Sequence, residues 1–162
     1  MNARIALHVL AATTLAWTLS ARPSNSAAEP SRDAAWNANG ATACERFLTP
    51  AVMSAVLNDP SGPPTKDSAT SCHRGAIYIE LRSQDPAALK REIPRIAFAH
   101  PLTGVGDAAY WNDAGATTAA KAPDRGCVVQ AILAVSVHDT KITGEALGQK
   151  LGEVCNTLFA LK

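Results

Sequence analysis

The spacing of apolar and polar positions divides this chain into a leader and one mixed domain. Ile5 to Leu19 is mostly apolar and contains no Lys, Arg, Asp or Glu. It follows a short start carrying Arg4 and runs on to small residues at Ser26-Ala27-Ala28, with Ala21 as an earlier cleavage position. This is the layout of a secretory signal peptide, here residues 1–28. The alternative is an uncleaved anchor helix, but about fifteen residues fall short of the roughly 20 needed to span a bilayer. Residues 29–41 are rich in Ala, Ser, Asn and Pro and read as a flexible lead-in. Residues 42–162 read as a single α+β domain.

Within that domain, Thr49-Pro50 predicts a helix start, with Thr49 as the cap and Pro50 at the first helical position, where a missing N–H costs nothing. Leu48 and Met53 are spaced for a hydrophobic staple. Val52, Met53, Val56 and Leu57 give the helix its apolar face, and Asn58-Asp59-Pro60 ends it. Ile77, Ile79 and Leu81 alternate with Tyr78 and Glu80, the pattern of a half-buried strand. Asp85-Pro86 starts a second helix whose inner face carries Leu89 and Ile93, with Pro94 limiting its length.

Turns at Gly104–Asp107, Asn112–Gly115 and Asp124–Gly126 separate short strands at Ala108–Trp111 and Ala116–Lys121 from a longer one at Cys127–Val137. The last carries apolar residues at successive positions, so it is predicted to be central. Three turns at hairpin-like spacing favour an antiparallel meander. A final helix carries the stripe Leu147, Leu151, Val154, Leu158 and Phe159. Ile142 and Leu147 bracket Thr143 as a second staple and cap. Gly144, Gly148 and Gly152 recur every four residues on it, each less favourable than Ala by about 1 kcal/mol. Either they allow a close approach to the sheet or the packed helix tolerates them. The fold class is therefore α+β: an antiparallel sheet of about four strands with helices packed on one face, linked by disulfides.

Four cysteines follow the leader: Cys44, Cys72, Cys127 and Cys155. In an exported chain whose aromatic content is only 5%, cross-links would reinforce an aliphatic core. Three pairings are possible. Cys44–Cys72 and Cys127–Cys155 are favoured, because each joins neighbouring predicted elements across the same separation. Free thiols or a metal or redox role are the alternatives. No Cys-x-x-Cys pair supports a zinc site, and adjacent Cys72 and His73 would point apart. Cys44 lies far beyond the apolar leader, so no lipid anchor is expected there.

The run Cys44-x-x-x-Leu48-Thr49-Pro50, then Cys72 ahead of a strand, then Gly104-Val-Gly106-Asp107-Ala108-Ala109-Tyr110-Trp111, resembles a class of small exported bacterial proteins of unknown function. In these a Cys…Leu-Thr helix start and a Gly-x-Gly-Asp-x-Ala-Tyr turn recur, and many are lipoproteins. The resemblance covers roughly residues 44 to 160 and implies an α+β domain with helices on an antiparallel sheet. It brings no catalytic residues. This chain departs from the class in lacking a lipobox.

Charge and chemistry narrow the function further. The 15 Lys and Arg nearly balance the 14 Asp and Glu. Setting aside Arg4 and Arg22 in the leader leaves one acid in excess. No basic run marks a nucleic-acid surface, and nothing predicts stable membrane insertion once the leader is removed. Gly104-x-Gly106-Asp107 is the nearest thing to a functional loop, but no helix follows the glycines as a nucleotide site requires.

Asp107, Tyr110 and Trp111 are the candidate ligand or partner contacts. The adjacent Tyr110 and Trp111 should face opposite sides of a strand, leaving one free to meet a partner or a sugar. His73, His100 and His138 share no metal-ligand spacing, and no Gly-x-Ser-x-Gly elbow is present. No catalytic residue, metal site or cofactor is assigned. The expected function is an exported, non-catalytic binding or accessory protein, periplasmic or secreted, whose partner is an envelope protein or cell-wall component. A small periplasmic hydrolase using Asp107 with a histidine, or a purely structural envelope module, are the alternatives.

Overall fold

The structure, a computed structural model, describes residues 34–131 and 140–161. Among them seven strands form one sheet: β1 (Pro64–Lys66), β2 (Ser71–Arg74), β3 (Ile77–Ser83), β4 (Ala99–Pro101), β5 (Ala108–Asn112), β6 (Ala116–Lys121) and β7 (Arg125–Ala131). Their order is β1-β2-β3-β7-β6-β5-β4, with every neighbouring pair antiparallel. β7 is therefore central, as its apolar run predicts. The rest of the predicted strand, residues 132–137, lies outside the described residues.

The sheet has seven strands and not about four. β1, β2 and β4 are the three that local pattern does not reveal. They are three or four residues long, two of them contain proline, and none alternates. Pairing with longer neighbours makes them strands. The two edges, β1 and β4, are short and carry Pro64 and Pro101, which lack a backbone donor and so discourage further strand pairing.

Among the described residues five α-helices accompany the sheet: α1 (Ala34–Ala38), α2 (Gly40–Phe47), α3 (Pro50–Val56), α4 (Pro86–Glu92) and α5 (Gly144–Phe159). The Thr49 hydroxyl accepts the Val52 N–H at the start of α3. Asp85 accepts from both Ala87 and Ala88 at the start of α4. The predicted Thr143 cap of α5 makes no side-chain capping bond.

Residues 34–41 are not a flexible lead-in. They form α1 and the start of α2, because Trp36 is drawn into the core, where it is 2% exposed. Its indole N–H donates to the Gly126 carbonyl, its ring stacks on Phe159 and the Arg125 guanidinium lies over it.

Alternation assigns the layers. Ile77, Ile79 and Leu81 of β3, Cys127 and Val129 of β7, and Ala109 and Ala119 point to one face. They join Trp36, Met53, Val56 and the α5 stripe in the main core. On the opposite face Ala108 and Ala120 form a second cluster with Leu89 and Ile93. Helices therefore do not occupy one face only: α4 covers the β5–β6 end of the other. The reason is topological, since α4 carries the chain from β3 to the far edge strand β4 and buries its own apolar stripe on the way.

Two disulfides, Cys44–Cys72 and Cys127–Cys155, join α2 to β2 and α5 to β7. This is the favoured pairing, and both bonds clamp helices to the main-core face. Gly148 lets α5 lie directly on β5, and Gly152 lets it lie against the loop before β5. A Cβ at Gly148 would come within 2.5 Å of Trp111, and one at Gly152 within 2.6 Å of Val105. Close approach, and not tolerance, is the role of these two glycines. At this contact the buried Thr117 hydroxyl donates to the Gly148 carbonyl.

Candidate functional site

The three predicted contact residues do not converge. Asp107 sits at the start of β5, where its N–H donates to the Ala120 carbonyl and its carboxylate accepts the Ala122 N–H at 2.8 Å. The preceding loop is equally engaged: Asn156 of α5 accepts from the Gly106 N–H and donates to the Gly104 carbonyl. Val105, between them, is buried under Gly152. The Gly-x-Gly-Asp segment therefore ties β5 to α5 and to the end of β6.

Tyr110 and Trp111 face opposite sides of β5, as adjacent strand residues must. Tyr110 packs with the α4 cluster. Trp111 is half-buried against Gly148 and stacks on His100, with ring centroids 4.2 Å apart. The His100 imidazole meets the Asp113 carboxylate at 3.1 Å, both side chains being exposed. Near the other edge of the sheet His73 pairs with Asp67 in the same way. The first joins the edge strand β4 to the turn between β5 and β6, and the second joins β2 to the turn after β1. Among the described residues no cluster of His, Cys, Asp or Glu is arranged to hold a metal ion.

Asp59, in the loop after α3, has its carboxyl held below the usual range by the hydroxyl and then the amide of Ser61. A cleft between α2–α3 and α5, bordered by Arg46, Phe47, Lys150 and Thr157, holds about 210 Å³. Pockets for drug-sized ligands run from roughly 300 Å³ upward, so this cleft is small for such a molecule.

One residue that sequence reasoning passed over stands apart. Phe98 is 74% exposed, the only large apolar side chain so placed among the described residues. It occupies the third position of the turn Ile96–Ala99, closed by the Ala99 N–H on the Ile96 carbonyl. Its φ is 58°. Glycine normally takes that place, and a side chain there costs about 1 kcal/mol or more. Among the described residues neither burial nor a ring partner offsets that cost.

Before it in the chain lie Lys90, Arg91 and Arg95, on α4 and on the single 3₁₀ turn Ile93–Arg95. All three are exposed. Leu89 and Ile93 point into the second core, which leaves Arg91 on the outward side of the helix. No regular pattern marks Phe98. Its one trace in the sequence is an aromatic residue outside every periodic element, shortly after a local excess of cations. Comparison with known proteins adds no relative: no family of known proteins, no curated protein and no solved structure matches the chain.

Proposed function

We propose that this chain is an exported, non-catalytic binding domain that works outside the cytoplasm against a component of the cell envelope. The observation that carries the reading is Phe98, an aromatic ring held out to solvent by a backbone conformation that favours glycine. A strained, exposed aromatic is the kind of outlier from which a contact function is inferred. The leader and the two disulfides support an oxidising compartment. The hydrolase alternative is weakened because the Asp107 carboxylate is engaged with a backbone amide, and the structural-module alternative leaves Phe98 without a purpose.

Affinity capture from envelope extract, with the unaltered protein and the Phe98→Ala variant side by side, tests this. The expected result is an envelope component recovered reproducibly by the first and lost with the second. Identical recoveries from both, or none from either, would contradict the proposal.

A further inference from the structure

We propose that the tip formed by α4, its 3₁₀ extension and the Ile96–Ala99 turn is a docking surface for an anionic phospholipid bilayer, with Phe98 entering the interface and Lys90, Arg91 and Arg95 lying over the headgroups. The inference rests on the binding-domain reading and names its partner. Two independent observations carry it. The first is Phe98, 74% exposed, so that no wall of the protein encloses it.

The second is charge. Lys90, Arg91 and Arg95 are exposed, and none has a hydrogen bond or ion pair from its side chain among the described residues. Glu92 is the one acid between Lys90 and Phe98. The tip is therefore locally cationic on a chain that is close to neutral, which is complementary to an anionic surface.

The occupant follows from the apolar content. A protein interface of ordinary size needs a core of several apolar side chains, with the charges at its rim. Here a single exposed aromatic follows three exposed cations in the chain, and no second large apolar side chain is exposed among the described residues. That combination suits a planar interface, where one ring sinks to the acyl boundary and basic residues meet the headgroups. No helix of the described residues is long and apolar enough to cross a membrane. A contact made by one ring and a few charges is peripheral.

Flotation of the purified, oxidised full chain with vesicles tests the proposal. Phosphatidylcholine containing phosphatidylglycerol is compared with phosphatidylcholine alone, at low and high salt. Binding is expected only to the anionic vesicles and to fall at high salt. Phe98→Gly should weaken it about tenfold or more, with a melting temperature unchanged or raised because glycine fits the turn. Arg91→Glu with Arg95→Glu should weaken it at least as much, at roughly fivefold for each lost attraction.

Equal binding to neutral vesicles, or full binding by either variant, would overturn the proposal. Retention by a soluble acidic polymer such as dextran sulfate, without vesicle binding, would overturn it in favour of a non-lipid anion. Absence of vesicle binding while Phe98 still governs capture of an envelope protein would remove the lipid partner and leave the binding-domain reading standing.

Discussion

Asp107 closes two hydrogen bonds, one from its amide and one to its carboxylate, and both run to the end of β6 and the residue after it. A short polar residue beside glycines is a frequent mark of a ligand loop and an equally good mark of a turn, and here the partners show the turn. Asp107→Ala should lower stability by about 1 kcal/mol, because the carboxylate bond is charge-assisted but lies at the exposed surface. Asp107→Asn keeps an acceptor and should lose less. Urea unfolding of the two variants checks this, and a larger loss for Asn than for Ala would argue against the hydrogen bond as the cause. Phe98 shows the reverse relation: its φ of 58° is costly, and its ring, 74% exposed, gains little burial in return.

At the scale of elements, the glycines of α5 set the distance between helix and sheet. Alanine at position 148 would improve helix propensity by about 1 kcal/mol, but its Cβ would meet the Trp111 side chain at 2.5 Å. Trp111 is itself held by its stack with His100. Overpacking should outweigh propensity, and Gly148→Ala is expected to destabilise by about 1–3 kcal/mol net in chemical denaturation. A stabilised variant would mean that the helix has room to move.

Elements whose determinants are local were legible from the residues alone. The caps at Thr49 and Asp85, the alternation of β3 and the stripe of α5 all stand where the pattern puts them. Elements held by distant partners were not. α1 depends on Trp36 reaching Gly126, which is 90 positions away, and β1, β2 and β4 depend on neighbours to pair with. The candidate site belongs to this second group, since a turn residue shows its exposure only when the surrounding chain has folded.

In the whole molecule, a central seven-stranded sheet is fastened on its main-core face by two sulfur bridges, one at α2 and one at α5. Each closes a loop of 28 positions, and a bridge of that span contributes about 2–4 kcal/mol, chiefly by restricting the unfolded chain. α4 lies on the opposite face and carries the cationic tip with Phe98, so the element that presents the proposed contact is not the one the disulfides fasten.

The two sulfur bridges presuppose an oxidising compartment. Mass mapping of the protein recovered from its own cells, with free thiols alkylated at lysis and no reductant added, tests that most directly. The account predicts a chain starting near Glu29, with Cys44 linked to Cys72, Cys127 linked to Cys155 and no alkylated cysteine. A chain that still begins at Met1, with all four cysteines alkylated, would contradict it.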